Sequence, residues 1–294
     1  MKKLLTVVLS LVLVASLLAG CGTDNNSTGN NSSFNLNNEI VVVSREEGSG
    51  TRGAFVELTG VEAKDDNGNT VDRTYEEAIV YNGTNQVLTA VAGNEYAIGY
   101  ISTGSLNNTV RPLKIDGVEP TTENIKNGSY KIARPFNIAT KGDVSEITQD
   151  FIDFIMSKEG QEIVSDSFIA VDDNPSPYAG SKPSGKVIVA GSTSVTPVME
   201  KLREAYLEIN PNAEIEIHST GSSAGMQAAI TGTADIGMAS RDLKDSEKAE
   251  LDYLAIAIDG IAVINNPTNT IDDLALEQVT KIFTGEIIKW SDIK

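Results

Sequence analysis

The chain has little of several residue types on which many functional sites depend. Its 294 residues include one cysteine, one histidine and one tryptophan, and aromatic residues make up only 5% of the total. A single cysteine, Cys21, excludes an internal disulfide. A single histidine, His218, excludes histidine-rich metal sites and most of the acid–base pairs that hydrolases use.

Positive charge is also scarce. The chain carries 23 Lys and Arg residues against 41 Asp and Glu residues, a formal net charge of −18 at pH 7. Nucleic acid and anionic membrane surfaces are poor partners for such a protein. A single small anion in a pocket is not excluded, because the local hydrogen-bond donors decide such a site.

The N-terminus has the pattern of an export signal. Lys2 and Lys3 precede an apolar run that ends at Leu18, which is shorter than a membrane-spanning helix needs. The sequence "LAGC" then resembles the processing site of bacterial lipoproteins, so we expect a signal peptide at residues 1–20 and lipid on the thiol of Cys21. An ordinary signal peptide with an incidental cysteine is the alternative.

Two polar stretches divide the remaining chain. Residues 21–38 are rich in Gly, Ser, Thr and Asn and predict a flexible tether. Residues 174–185 contain three prolines and few apolar side chains, which predicts a linker between the blocks 39–173 and 186–294.

Both blocks alternate strand patterns with helix patterns, which indicates an α/β protein. Strands are predicted at residues 39–44, 97–102, 186–190, 214–218 and 254–265, and helices at 51–58, 86–92, 145–156, 195–209 and 222–231, with a last helix from Leu276 to near Gly285.

Three short polar loops each precede a predicted helix: "EGSGTRG" from Glu47, "AGSTSV" from Ala190 and "STGSSAG" from Ser219. The first N–H groups of a helix are unpaired and carry partial positive charge, and glycine lets an anion approach them closely. One such loop is commonly only a helix cap. Three in one chain, one of them beside Arg45, favour an oxyanion site.

Two of these loops also match enzyme motifs, and neither match is complete. Gly48, Gly50 and Gly53 have the spacing of a dinucleotide-binding loop, but no apolar strand ending in an acidic residue follows at the required distance. "GSSAG" matches the nucleophile motif of α/β-hydrolases, with Ser223 as the nucleophile. His218 precedes Ser223 in the chain, whereas that fold needs its histidine late, so we expect an ordinary strand residue.

At these loops the sequence resembles the phosphate-binding lipoproteins of bacterial phosphate ABC importers, the PstS-like proteins, especially those of Gram-positive bacteria. The segments that carry the resemblance cover nearly all of both blocks: "GKVIVAGSTSVTPVMEKL", "GSSAGMQAAITGTADIGMASRDLK", "DGIAVINNP", "LEQVTKIFTGEIIKWSD", "SREEGSGTRGAF", "AVAGNEYAIGYIS", "LKIDGVEPTTENIKNGSYKIARPFNIATKG" and "FIDFIMSKEGQEIV". The resemblance implies the two-lobed α/β fold of type II periplasmic binding proteins.

The order of the two blocks is unusual for that family. In the family the "GKVIVAGSTSV" segment comes first and the "SREEGSGTR" segment follows "WSD", whereas here the blocks are exchanged. The chain therefore resembles a circular permutant, in which residues 174–185 join the family's usual termini. The new ends, near Glu39 and Lys294, are expected to lie next to each other in the other lobe. A truncated or misassembled gene is the alternative.

The resemblance also implies a phosphate site between the lobes. Carried over by position, the family's phosphate contacts fall on Arg45, Ser49, Gly50, Thr51, Thr193, Ser194 and Ser222. Arg241 stands where some members have an aspartate that accepts a proton from phosphate. Asp259 or Asp242 could replace that acceptor, and Arg241 is either an anion contact or one half of a structural ion pair.

The function implied is that of a solute-binding protein that captures inorganic phosphate and delivers it to the permease subunits of an ABC importer. The resemblance implies no enzymatic activity, no cofactor, no metal and no nucleic-acid partner, and it implies attachment to the outer face of the cell membrane through Cys21. Another tetrahedral oxyanion, such as sulfate or molybdate, is an alternative ligand. A phosphate sensor or adhesin without a transport role, or a phosphate-handling hydrolase, is an alternative function.

Overall fold

The structure is a computed structural model, and it describes residues 34–293, which belong to one compact unit. The predicted signal peptide, Cys21 and most of the predicted tether lie outside the described residues. Within residues 34–293 no helix is long and apolar enough to cross a membrane.

Thirteen strands are described: β1 Val41–Arg45, β2 Glu62–Lys64, β3 Thr70–Asp72, β4 Ile79–Tyr81, β5 Ala97–Ser102, β6 Arg111–Pro112, β7 Lys114–Ile115, β8 Ala133–Thr140, β9 Gly185–Gly191, β10 Ala213–Ser219, β11 Ile236–Ala239, β12 Asp252–Asn265 and β13 Asp273–Leu274.

Nine α-helices are described within the same residues: α1 Gly50–Thr59, α2 Thr84–Ala92, α3 Thr122–Lys126, α4 Glu146–Met156, α5 Lys158–Ser165, α6 Thr196–Ile209, α7 Ser222–Thr231, α8 Asp245–Lys248 and α9 Leu276–Phe283. Short 3₁₀ helices lie at Thr103–Ser105 and Trp290–Asp292.

One mixed sheet organises the fold. Its strands lie in the order β10-β9-β11-β8-β12-β5-β1-β4, and β6 pairs with β12. The pairs β10–β9, β9–β11, β5–β1 and β1–β4 are parallel, whereas β8 and β12 are antiparallel to their neighbours. The carboxyl ends of parallel strands carry loops into helices, which is where binding sites of α/β proteins form.

The sheet supports two lobes that meet at β8 and β12. Lobe A consists of residues 34–132 and 261–293, and lobe B consists of residues 133–260. Each lobe has its own apolar core. The core of lobe A includes Phe55, Tyr100 and Trp290, and the core of lobe B includes Phe154 and Tyr206, all of them almost fully buried. The strand β12 passes from one lobe to the other, pairing with β8 on one side and with β5 on the other.

The two ends of the described chain meet in lobe A, where the resemblance to permuted phosphate-binding lipoproteins implied that they would lie. Glu39 forms a β-bridge with Lys289, and the backbone N–H of Ile40 donates to the carbonyl of Ile288 at 2.8 Å. Phe34 belongs to the stretch predicted as a tether, yet its ring packs 5.8 Å from that of Trp290. The last residues of that stretch are therefore part of lobe A.

The predicted linker is fixed to lobe B by hydrogen bonds. The carboxylate of Asp150, on α4, accepts from the Tyr178 hydroxyl at 2.5 Å, from the Tyr206 hydroxyl at 2.6 Å and from the Ser181 N–H at 2.9 Å. The amide of Asn210 donates to the carbonyl of Pro183 at 2.8 Å. The prolines and glycines of this segment favour turns, and the hydrogen bonds to Asp150 hold the segment against lobe B.

The elements that were predicted are present within one or two residues of their expected bounds. The strands β8 and β11 and the helix α5 were missed, as were the short elements β2, β3, β4, β6, β7, β13, α3 and α8. The sequence of β8, "ARPFNIAT", has Arg134 and Pro135 near its start and contains Asn137, which gives it little alternation. Both polar side chains are buried in the sheet, where they donate to partners that are distant in the chain. The polar segment after α1 forms the short hairpin β2–β3, so no long apolar strand follows the glycine loop.

Candidate functional site

Lobe A contributes the loop between β1 and the N-terminus of α1. Arg45 ends β1, and its side chain is almost completely buried. Ser49 caps α1, accepting a hydrogen bond from the Arg52 N–H at 3.3 Å. Gly50 and Thr51 are the first helical residues, so their N–H groups have no partner within the helix. The loop thus presents a cation, hydroxyls and a helix N-terminus on one surface.

Lobe B contributes two loops from its parallel strands. Thr193 and Ser194 lie between β9 and α6, and Ser222 is the first residue of α7. Gly191 ends β9 with φ 143°, and a Cβ there would lie 2.2 Å from the Met238 carbonyl oxygen. Only glycine permits this approach of the backbones, which brings both loops to one edge of the sheet.

Five hydrogen bonds join these loops and the start of α2 across the two lobes, one of them between the hydroxyls of Thr84 and Thr193 at 3.4 Å. The Nη2 of Arg45 donates to the Thr193 hydroxyl at 2.9 Å, and the hydroxyls of Thr51 and Ser194 are 2.9 Å apart. The N–H of Ser223 donates to the carbonyl of Gly48 at 3.1 Å. The hydroxyls of Thr84 and Ser194 lie 3.4 Å apart. The predicted phosphate contacts therefore lie in one cluster, although about 140 residues separate the first and second sets in the chain.

Gly50 lies where the two lobes pack closely against each other in this cluster. A Cβ at this position would lie 2.3 Å from the Ser222 Oγ and 2.8 Å from the Ser240 Oγ. Gly50 has an ordinary helical conformation, so space rather than backbone geometry requires glycine here.

Two residues of the cluster were missed from the sequence. Ser240 follows β11, its N–H donates to the Ser222 Oγ at 3.2 Å, and its hydroxyl accepts from Ser192 at 2.9 Å. Thr84 is the first residue of α2, and its hydroxyl accepts from the Nη1 of Arg45 at 3.4 Å. The helix start at "NGTN" was a signal for Thr84, whereas Ser240 had no local signal.

A carboxylate fixes the orientation of Arg45. Glu46 accepts from the Nε of Arg45 at 2.7 Å and from its Nη2 at 2.8 Å, and it also accepts from the Gly83 N–H at 3.1 Å. Burial raises the pKa of the Glu46 carboxyl, but the hydrogen bond and charge of Arg45 outweigh it, so that pKa lies below its ordinary value. The two terminal nitrogens of Arg45 consequently face Thr84 and Thr193 in the cleft.

Arg241 lies at the edge of the cluster in an ion pair. Its terminal nitrogens donate to both oxygens of Glu247, at 2.7 and 2.8 Å, and its Nη2 also donates to the Ser223 hydroxyl at 3.3 Å. Burial alone would raise the pKa of the Glu247 carboxyl. The hydrogen bonds from Arg241 and from the Lys244 N–H outweigh burial, so that pKa lies below its ordinary value. Of the two roles expected for Arg241, this geometry matches the structural ion pair.

Asp259 lies behind the cluster and is completely buried. Its Oδ1 accepts from the hydroxyls of Ser102 and Thr103, both at 2.9 Å, and its Oδ2 accepts from the Nη2 of Arg134 at 2.9 Å. Burial raises the pKa of the Asp259 carboxyl, while Arg134 and the two hydroxyls oppose that rise. Asp242, the other candidate acceptor, contributes its backbone carbonyl to Arg241 at 2.9 Å.

The single histidine is on the surface. His218 lies on β10 with about half of its side chain exposed, and its Nε2 is 3.7 Å from the Glu216 carboxylate. Ser223 receives a hydrogen bond from Arg241 instead. Among residues 34–293, no group of three or more His, Cys, Asp and Glu side chains is arranged to hold a metal ion.

A cavity opens to solvent beside the cluster. Its volume is about 450 Å³, and its wall includes Thr84 and Thr193, the two hydroxyls that accept from Arg45. Neutral polar groups make up most of the remaining wall, with Glu200 as its one charged side chain. The cavity therefore borders two hydroxyls of the cluster, while Arg45 itself lies behind them and is almost completely buried.

Comparison with known proteins agrees with this geometry. The sequence matches the family described as "PBP superfamily domain" over residues 25–159 and 176–294. It is 48% identical to "Phosphate-binding protein PstS 2" of Streptococcus agalactiae, over 99% of this chain and 98% of that protein.

A second relative, "Phosphate-binding protein PstS" of Staphylococcus haemolyticus, is 36% identical over 111 residues, 35% of each chain. Among solved structures, a phosphate ABC transporter phosphate-binding protein from Streptococcus pneumoniae is 47% identical. The match covers 87% of this chain and all of that one, with a TM-score of 0.71. The chain therefore belongs to the PBP superfamily and, within it, to the family of the PstS phosphate-binding proteins.

Proposed function

We propose that this protein captures inorganic phosphate between its two lobes and delivers it to the permease of an ABC importer. The observation that carries the proposal is the position of Arg45. Glu46 orients the buried guanidinium of Arg45. The two terminal nitrogens of that guanidinium donate to the hydroxyl of Thr84 in lobe A and to the hydroxyl of Thr193 in lobe B. Phosphate oxygens suit such a site, because hydrogen bonds between charged groups are among the strongest in proteins.

The two-sided arrangement provides a mechanism for capture. Lobe A offers Arg45, Ser49, Thr51 and the N-terminus of α1, and lobe B offers Thr193, Ser194, Ser222 and the N-terminus of α7. A ligand shifts an equilibrium between open and closed states only by binding one of them more tightly. Phosphate bonds to both sets of donors only when the lobes are closed, so binding favours closure, which the permease then recognises.

Electrostatics supports a small anion rather than a large anionic surface as the partner. The chain as a whole is strongly acidic, with a net charge of −18. Around the cleft, each of Arg45, Arg134 and Arg241 is paired with a carboxylate. Phosphate is therefore held by oriented hydrogen-bond donors in a cleft whose side-chain charges nearly balance, as in other preorganised anion sites.

The proposal also covers how the protein is attached to the membrane and whether it catalyses a reaction. The sequence "LAGC" supports lipid on Cys21, which would hold the protein at the outer face of the membrane next to its permease. The relative from Streptococcus agalactiae is named a phosphate-binding protein, and the one from Streptococcus pneumoniae a phosphate-binding protein of a phosphate ABC transporter. The side chain that bonds to Ser223 is Arg241, whereas His218 lies beside Glu216. These observations favour binding without catalysis.

We further infer that the order of the two blocks is a circular permutation. The relative from Streptococcus agalactiae aligns along almost its whole length, so it shares this order. The relative from Staphylococcus haemolyticus aligns over 111 residues, the length expected if only one block is collinear. The contact between Glu39 and Lys289, and the firm attachment of residues 174–185 to lobe B, support the same inference.

Titration calorimetry with phosphate, sulfate and molybdate tests the proposed ligand. We expect saturable binding of one phosphate per protein and much weaker binding of the other two anions. Absence of heat with all three anions would contradict an anion-binding role, and tighter binding of sulfate than of phosphate would reassign the ligand.

A further inference from the structure

A buried ion pair lies where the sheet passes from one lobe to the other. Arg134 on β8 and Asp259 on β12 are register partners in adjacent strands, and their side chains meet at 2.9 Å. The Arg134 side chain is 2% exposed and that of Asp259 is completely buried. Removing two charges from water costs several kcal/mol per ion, so such a pair persists only when further hydrogen bonds compensate.

The further bonds of Arg134 lead into the anion cluster. Its Nη1 donates to the carbonyl of Ser240 at 2.9 Å, and Ser240 in turn donates its N–H to the Ser222 hydroxyl. The Nε of Arg134 has no hydrogen-bond partner, one of only two such buried side-chain atoms in the described part of the chain. Arg134 thus places a buried positive charge, with one N–H unpaired, in direct contact with Ser240 of the cluster.

The bonds of Asp259 lead into the other lobe. Its Oδ1 accepts from Ser102, at the end of β5, and from Thr103 directly after it. The donors to Asp259 are therefore the buried side chains of Ser102 and Arg134 and the partly buried hydroxyl of Thr103. The negative charge of Asp259 partly cancels the positive potential that Arg134 contributes to the proposed anion site.

We propose that Arg134 is a positioning residue for the bound anion, fixing Ser240 in the floor of the cleft and adding positive potential there, with Asp259 as its counterion. The proposal rests on the phosphate-binding function proposed above. It assigns Asp259 no proton from phosphate, and it predicts effects of opposite direction when the two partners are changed separately. Removing Arg134 leaves a negative group near the anion, whereas neutralising Asp259 leaves an uncompensated positive one.

The experiment compares phosphate affinity with thermal unfolding in four variants of the full chain. Arg134→Met is expected to weaken phosphate binding at least tenfold, and Arg134→Lys to recover part of that loss. Asp259→Asn is expected to lower the unfolding midpoint while phosphate binds as tightly as in the wild type or more tightly. Its ratio of phosphate to sulfate affinity is expected to stay unchanged.

Arg111→Met is the control, because Arg111 is a partly buried arginine on β6 that donates to the neighbouring strand β12 outside the cluster. It donates to Asn265 and to the carbonyl of Ile271, at 3.3 and 2.7 Å, in lobe A. This variant is expected to lose stability with unchanged phosphate affinity. If Arg134→Met does not fold, the opposite directions of Arg134→Lys and Asp259→Asn decide the question.

Three results would overturn the inference while leaving the proposed function intact. The first is wild-type affinity in both Arg134 variants, and the second is an equal loss of affinity in Arg134→Met and Asp259→Asn. The third is a loss of phosphate-over-sulfate preference in Asp259→Asn, which would make Asp259 a proton acceptor. Absence of phosphate binding by the wild type would instead overturn the proposed function, and this inference with it.

Discussion

Gly50→Ala is expected to separate closure of the cleft from stability of the fold. The new Cβ would lie 2.3 Å from the Ser222 Oγ and 2.8 Å from the Ser240 Oγ, well inside van der Waals contact. All of these atoms belong to buried residues at the contact between the lobes. The closed state must therefore either shift these hydroxyls or keep the lobes farther apart.

The size of the effect follows from the cost of overpacking. Inserting a methyl group into a packed site costs roughly 1–3 kcal/mol. If that cost falls on the closed state alone, phosphate affinity decreases between about 5-fold and about 150-fold, since 1.4 kcal/mol is tenfold. In phosphate-free buffer the lobes can avoid the clash by staying apart, so the unfolding midpoint is not expected to fall.

The assay combines phosphate titration with thermal unfolding in phosphate-free buffer, and Gly53→Ala is the matched control. Gly53 lies one turn later on α1, and a Cβ there would be 3.5 Å from the Cδ of Arg241, an ordinary contact. We expect this variant to bind phosphate as the wild type does. Equal affinities for the Gly50 and Gly53 variants would refute the reasoning that the lobes meet at Gly50 when phosphate is bound.

Two further predictions concern stability. Asp150→Asn is expected to lower the free energy of unfolding, measured in denaturant titrations, by about 2–3 kcal/mol. The Asp150 carboxylate accepts hydrogen bonds from Tyr178 and Tyr206, and hydrogen bonds to charged groups contribute about 1.5–3 kcal/mol each. Its phosphate affinity should not change; an unaltered unfolding midpoint would mean that Asp150 does not fix the linker. Glu46→Gln is expected to reduce stability at neutral pH, because the pKa of Glu46 lies below its ordinary value in the folded protein. That stabilisation is present above the unfolded pKa of glutamate, about 4.3, and is lost as the pH falls through the folded pKa, so the unfolding curves of variant and wild type should converge in acid. A difference that is constant with pH would show that the charge of Glu46 contributes nothing to stability.

The loops of the site could be predicted because their signals are local. Arg45, Ser49, Gly50 and Thr51 stand together at a strand end and a helix start, and the structure places them there. Ser222 likewise opens α7, as the pattern around it indicated. Glycines, hydroxyls and a helix start lie within a few residues of each other in each loop, so the sequence alone indicates the chemistry.

The missed residues depend on contacts that are distant in the chain. The terminal nitrogens of Arg134 donate to the Ser240 carbonyl and to Asp259, which lie 106 and 125 residues away. Asn137 is satisfied by the Arg241 carbonyl, 104 residues away. A strand with buried polar side chains looks unfavourable until these partners are known. For the same reason β8 and Ser240 could not be recognised from local patterns.

The most direct test of the phosphate site is a titration of the wild-type protein and of Arg45→Met with inorganic phosphate, followed by calorimetry. Arg45 is the one charged side chain that donates to hydroxyls of both lobes within the cluster. The wild type is expected to bind one phosphate, and the variant to bind at least 100-fold more weakly. Equal binding by the two proteins, or no binding by the wild type, would contradict the assignment of this cleft as the phosphate site.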